Sequence, residues 1–155
     1  MPYTLQHYNG KNPGSANIYK EIEHLTASVV NLYPQHKKWY HEKFLPELKQ
    51  GTRRIIAAYI TTGELVGIAL LKDTPTEKKI CTLFVTEGHR YHHIAHQLIE
   101  KSMELLQTKK PKISVSEKAL SSLKPLLDNY GFELTTTVPN AYLKGITEYY
   151  FNGLP

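Results

Sequence analysis

Between the apolar run Ile80 to Val85 and the amphipathic run Ile94 to Leu106 lies Thr86-Glu-Gly-His-Arg90-Tyr-His-His93-Ile-Ala95. A strand that turns directly into a helix presents first-turn amides with no intrahelical acceptor, at the positive end of the helix macrodipole. Such a junction is a natural anion site. Arg90 adds a fixed positive charge, and His89, His92, His93 and His96 add imidazoles that protonate near neutrality. Anion affinity is therefore expected to rise as pH falls from about 8 to about 6. The histidines also form two pairs at four-residue spacing, His89 with His93 and His92 with His96, and such pairs on one helix face can share a metal. Against a metal, His93 stands where a zinc-hydrolase helix carries its glutamate base, and no third ligand has a characteristic spacing.

The elements that must position this junction are readable from periodicity. Tyr3 to Tyr8 is a short strand, and Asn9 to Gly14 is a loop. A helix capped by Ser15 or Asn17 carries Ile18, Ile22, Leu25, Val29 and Leu32 on one face until Pro34 stops it. Trp39 to Leu48 reads as a second helix, interrupted at Pro46 and closed by Gly51, whose Trp39, Tyr40 and Phe44 serve as core or cleft wall. Arg53 to Ile60 and Leu65 to Leu71 form a hairpin through Thr61 to Glu64, and a polar linker, Lys72 to Lys79, leads to the strand Ile80 to Val85.

The helix after the junction has the clearest stripe: Ile94, Ala95, Leu98, Ile99, Met103 and Leu106. Pro111 introduces the strand Lys112 to Val115, which completes a βαβ unit with parallel strands. Ser116 caps a helix toward Tyr130, kinked or split at Pro125 and ended by Gly131. Phe132 to Val138 and Tyr142 to Phe151 are strands joined through Pro139-Asn140. The expected fold is α+β, with a mixed sheet that is antiparallel at its start and parallel in its middle.

Composition sets the frame. The 155 residues suit a single domain spanning 1–155. The lone Cys81, in an apolar run, excludes an intramolecular disulfide and suggests a buried structural thiol in a reducing cytoplasm. The N-terminal Met1-Pro-Tyr-Thr-Leu-Gln-His has no leader pattern, and no run reaches the ~18 apolar residues of a membrane span, so a soluble cytoplasmic protein is expected. Lys and Arg exceed Asp and Glu by 19 to 14, for a net charge of +5, spread over pairs such as Lys37-Lys38 and Lys78-Lys79. A phosphorylated ligand and a nucleic acid are both compatible with that excess.

Taken in order, these elements and the junction resemble the GCN5-related N-acetyltransferase (GNAT) superfamily, over roughly residues 15 to 152. Arg90-Tyr-His-His93-Ile-Ala95 falls in register on the family's Q/R-x-x-G-x-G/A loop, with His93 in place of the first glycine. Glu64-Leu-Val-Gly67 is similar to the family's V-G strand start, and Asn129-Tyr-Gly131-Phe132 to its terminal G-F.

The resemblance implies a central sheet of about six to seven strands flanked by about four helices, with the fourth and fifth strands splayed. It implies acetyl-CoA as co-substrate, with the pantetheine arm held by backbone groups of Leu83, Phe84 and Val85. The pyrophosphate would be cradled by Arg90, Tyr91, His92, His93, Ile94 and Ala95. The implied reaction is direct attack on the thioester by a primary amine in a ternary complex. The amine would come from a small molecule or a protein, or from an aminoacyl-tRNA, and a homodimer is compatible with the family. His36, Trp39, Tyr40 and Tyr142 are candidate walls of the acceptor groove.

No catalytic residue is assigned. Where the family often carries a tyrosine that protonates the leaving thiolate, this chain has Leu127, while Tyr130, Tyr142 and Tyr149 lie nearby but off the motif. Glu77, Glu87 and His89 are candidate bases. Two other readings follow from these departures: an acyl-CoA-binding sensor on the same fold, and a metal protein built on His89, His92, His93 and His96.

Overall fold

The computed structural model describes residues 3–90 and 93–155. Seven strands form one sheet in the order β1-β2-β3-β4-β5-β7-β6. They are β1 (Thr4–Tyr8), β2 (Arg53–Tyr59), β3 (Leu65–Asp73), β4 (Lys78–Val85), β5 (Lys112–Ser116), β6 (Leu134–Pro139) and β7 (Thr147–Phe151). Every neighbouring pair is antiparallel except β4 and β5, which are parallel and flank the connecting helix α4 (Ile94–Leu106) in sequence.

Each face of the sheet buries its own core. On one face Ile94, Leu98, Ile99 and Leu106 of α4 pack with Ile56, Ala58, Leu71 and Ile80, joined by Leu126 and Leu127 of α5 (Glu117–Asn129). The stripe also contains buried Ser102, which satisfies its hydroxyl by donating to the Leu98 carbonyl at 2.6 Å. Gly67 sets how closely α4 lies, because a Cβ there would stand 3.1 Å from Ile94 Cγ2. On the opposite face Ile18 and Ile22 of α1 (Ala16–Leu25), with Tyr40, Phe44 and Leu48, cover Ile55, Ala57, Ile68 and Leu70.

Several expectations need correction. The first helix does not run to Leu32: it ends at Leu25, where the Thr26 hydroxyl folds back onto the Ile22 carbonyl at 2.8 Å, and a 3₁₀ turn (Ala27–Asn31) follows. Val29 and Leu32 therefore leave the helical stripe. Pro46 does not interrupt the second helical segment, which passes from α2 (His36–Trp39) through a π turn (Tyr40–Phe44) into α3 (Leu45–Gln50). Pro46 sits in the first turn of α3 just after the widened turn, where its missing N–H is least needed. Pro125 likewise neither splits nor ends α5; the carbonyl it leaves unpaired belongs to exposed Ser121, within reach of water.

The polar linker is instead the end of a hairpin, with Lys72 paired to Lys79 and Asp73 to Lys78. Ion pairs of Asp73 with Arg54 (2.7 Å) and Lys78, and the Thr74 hydroxyl accepting from the Glu77 amide at 2.9 Å, hold a turn that has little apolar surface. Tyr142 is not in a strand: residues 140–146 form a loop, pinned where the Gly145 amide donates to Asn140 Oδ1 at 2.6 Å.

Arg53 anchors the helical arm to the sheet. Its side chain is 3% exposed, lies 5.6 and 5.7 Å from the Trp39 and Phe44 ring centroids, and pairs with Glu47 at 3.0 Å. Glu47→Gln leaves that guanidinium buried without a counter-charge, so urea unfolding should show a loss of about 3 kcal/mol, the lower end for a broken buried pair.

Candidate active site

β4 and β5 pair only at Lys79 with Lys112 and Ile80 with Ile113. Beyond Ile80 they diverge, because each is committed elsewhere: β4 to β3, and β5 through Ser116 to β7. A bulge marks the point of divergence, since Leu70 pairs with Thr82 and Leu71 with Ile80, which leaves Cys81 as the extra residue. The result is a cleft of about 660 Å³ whose walls include Leu83 and Phe84 on β4, Ser114 and Val115 on β5, and Val29, Tyr33, His36 and Trp39 from the helical arm. The Cys81 thiol also lines it, accepts from Arg53 Nη1 at 3.3 Å, and is pushed up in pKa by burial.

At the open end, Arg90 folds back over β4. Its Nε donates to the Val85 carbonyl at 2.9 Å, and its guanidinium lies 5.7 Å from the Phe84 ring centroid. Among the described residues the first bond of α4 runs from the Gln97 amide to the His93 carbonyl at 3.1 Å, and the amides of Ile94, Ala95 and His96 come before it in the first turn. The Ile94 side chain is fully buried, which limits that residue to its backbone in any ligand contact. His93 is exposed, and its backbone is left-handed (φ 61°, ψ 15°). That conformation accounts physically for a glycine at this place in the resembled pattern: a Cβ is strained there. Tyr91 and His92 lie outside the described residues.

Of the described junction histidines, His93 and His96 lie ring to ring at 5.4 Å between centroids, and His89 is held apart by its own partner. His89 Nδ1 meets the Thr86 hydroxyl at 3.0 Å, and His96 Nδ1 meets the Tyr130 hydroxyl at 3.2 Å. Among the described residues no three His, Cys, Asp or Glu side chains are grouped to hold a metal. Of the base candidates, Glu87 is exposed and neither it nor His89 lines the cleft. Glu77 does, but it is ion-paired with Lys112 and with Lys72 (2.8 Å), and hydrogen bonds from those two ammonium groups hold its carboxyl down at about 2. Leu127 is fully buried in the core. Of the proposed acceptor walls, His36, Trp39 and Tyr142 line the cleft, whereas Tyr40 is buried with its hydroxyl donating to the Tyr19 carbonyl at 2.9 Å.

Two residues escaped the sequence reading. Tyr33 donates its hydroxyl proton to Glu148 Oε2 at 2.8 Å and accepts from the Ser116 amide at 3.1 Å, across 115 positions of chain. Burial raises the Glu148 carboxyl, offset in part by the Tyr33 hydroxyl, and burial also raises the Tyr33 phenol. His36 Nε2 lies 3.0 Å from the Thr82 hydroxyl on β4, and burial lowers its imidazole pKa. The arm is thus tied to both banks of the cleft. The one available signal was Glu148 itself, an acidic residue in a strand directly before the aromatic run Tyr149 to Phe151.

Residues 14–149 match the model of the acetyltransferase (GNAT) domain. The chain belongs to the GNAT acetyltransferase family. No curated protein matches it by sequence. Among solved structures, the NatC complex bound to Gag peptide and CoA is similar at a TM-score of 0.76, with 17% identity over 97% of each chain. Arabidopsis thaliana NAA60 in complex with acetyl-CoA gives a TM-score of 0.71, with 15% identity over 97% of each chain. The PaiA N-acetyltransferase of Thermoplasma acidophilum in complex with coenzyme A gives 0.67, with 14% identity over 96% of this chain and 98% of that one. At these identities the likeness is one of fold.

Two outcomes test this local physics. His93→Gly should raise stability to urea by about 0.5–1 kcal/mol, as the strained left-handed side chain is removed at some entropic cost. Glu77 has a folded pKa below its unfolded value of 4.5, so its contribution is present above 4.5 and is lost as pH falls through about 2. Glu77→Gln should therefore flatten the acid side of the stability profile across that interval.

Proposed function

We propose that this chain transfers the acetyl group of acetyl-CoA to a primary amine by direct attack in a ternary complex. The observation that carries the reading is the cleft opened where β4 and β5 stop pairing. An extended amide-bearing arm finds the edge of β4 that faces β5 left unpaired beyond Ile80, along Leu83 to Val85, as an added strand would. The cleft, about 660 Å³ and largely walled by apolar side chains, suits such an arm. At the open end, Arg90 and the first-turn amides of Ile94 and Ala95 fit a pyrophosphate. The same fit extends by proposal to Tyr91, His92 and the backbone of His93. The bound thioester supplies an activated acyl carbon.

The remaining chemistry falls to side chains of the arm. The incoming ammonium must lose a proton before it can attack, and His36 is the one imidazole among the described residues lining the cleft. Burial lowers its pKa, so it stands neutral at pH 7 and able to accept that proton, with the Thr82 hydroxyl beside it. Tyr33, locked by Glu148 and the Ser116 amide, and Tyr142, edge-on to it at 5.2 Å between centroids, shape the wall that orients the amine. The buried Leu127 offers no proton to the departing thiolate, which favours water in that role.

Calorimetry and thiol release decide the reading. Acetyl-CoA should bind, and an amine panel should yield free CoA thiol with an acid limb in kcat below pH 6.5, the ordinary value from which His36 is lowered. His36→Gln should cut kcat by about a hundredfold and abolish that limb while acetyl-CoA affinity stays unchanged. Binding with no thiol release over the whole panel would favour an acyl-CoA sensor. Absence of binding to any CoA derivative overturns both.

A further inference from the structure

The two ends of β4 carry different charge environments. Val85 ends the strand beside Arg90, whereas Lys79 lies at its start, six residues and roughly 20 Å away. One phosphate group held at Arg90 does not also occupy the Lys79 end. There the cleft is lined by Lys43, Arg53, Lys72 and Lys79, and Glu77 is the sole carboxylate among its described lining residues.

The charges do not cancel. Arg53 is matched by Glu47. Lys72 and Lys112 share the single carboxylate of Glu77, which stays ionised well below neutrality. Neither Lys79 nor Lys43 has an ion-pair partner among the described residues. Glu148, the other acid nearby, is buried, bound by the Tyr33 hydroxyl and raised in pKa by burial; it feels the Lys79 charge only as the weakest of these influences, without an ion pair among the described residues. A partly desolvated, cationic wall attracts an anion and repels a polycation, and the effect is stronger in a cleft than on an open surface.

Resting on the acetyl-transfer reading, we propose that this end of the cleft is an anion subsite and that the acceptor is an amine which also carries a carboxylate or phosphate. The position follows from the strand. With the amine attacking beside Thr82 and His36, Lys79 lies three residues back along β4, roughly 10 Å away. A carboxylate or phosphate on a short acceptor reaches Lys79 across that gap, with Lys72 and Lys43 completing the surround. Unsubstituted polyamines are excluded by the same charges.

Matched pairs that differ in one charge test the subsite: triglycine and its carboxamide, β-alanine and its carboxamide, glucosamine 6-phosphate and glucosamine. At least one anionic member should show a KM about tenfold below that of its neutral partner, with spermidine poorer than both. Lys79→Gln should erase the difference by raising KM for the anionic member alone, and Lys79→Glu should reverse it. Calorimetry with the N-acetylated forms of the same pairs, on CoA-saturated protein, reads the subsite without turnover. Equal affinity within every pair, or binding of neither member of any pair, overturns the inference. Failure of acetyl-CoA to bind overturns the acetyl-transfer reading instead, and the pairs are then compared on the protein alone.

Discussion

Two adjacent strands that share only the pairs Lys79 with Lys112 and Ile80 with Ile113 are the constraint on which the molecule turns. Backbone amides and carbonyls cannot remain buried without partners, so a parallel pair that separates after two positions must present its inner edges to water or to a ligand. Nothing in the sheet closes the gap. β3 holds β4 along its length, β7 holds β5, and α4 is pressed against Gly67 on the face behind. The bulge at Cys81 adds local twist at the place where separation begins. The open wedge thus results from three well-satisfied neighbours, β3, β7 and α4.

The helical arm converts that wedge into a site with two sides. Arg53, set against the adjoining Trp39 and Phe44 rings and paired with Glu47, fixes the base of the arm to β2. His36 ties it to β4, and Tyr33 ties it to β5 and β7. Buried polar contacts of this kind contribute modestly to stability but specify one arrangement, since moving the arm would strand the Glu148 carboxyl and the Ser116 amide. The helix N-terminus and Arg90 then lie at one end of β4 and the lysines at the other.

Much of the fold was legible because the residues that decide it are local and periodic. The stripe of α4, the Ser116 cap, Gly51 as a left-handed helix end and the Thr61 to Glu64 hairpin all appear where their residue types require. The misreadings have a common cause. The first helix ends at Leu25, where the Thr26 hydroxyl and amide share the Ile22 carbonyl, and the Lys72 to Lys79 segment forms a hairpin because ion pairs replace apolar burial. Pro46 and Pro125 were read as breaks because proline weakens a helix in isolation, whereas a π turn and an exposed carbonyl absorb the penalty here.

By itself the sequence determined the element order and the strand-to-helix junction, since each depends on neighbours in the chain. Only the tertiary structure decided which side chains meet. It moved Tyr40 into the core and Tyr142 onto a loop at the cleft, and it neutralised Glu77 as a base between two lysines. It also joined Tyr33 to Glu148 across 115 positions. Periodicity reports the face of an element toward the core, but a hydrogen bond between distant residues depends on where two faces come together, and no local pattern encodes that distance.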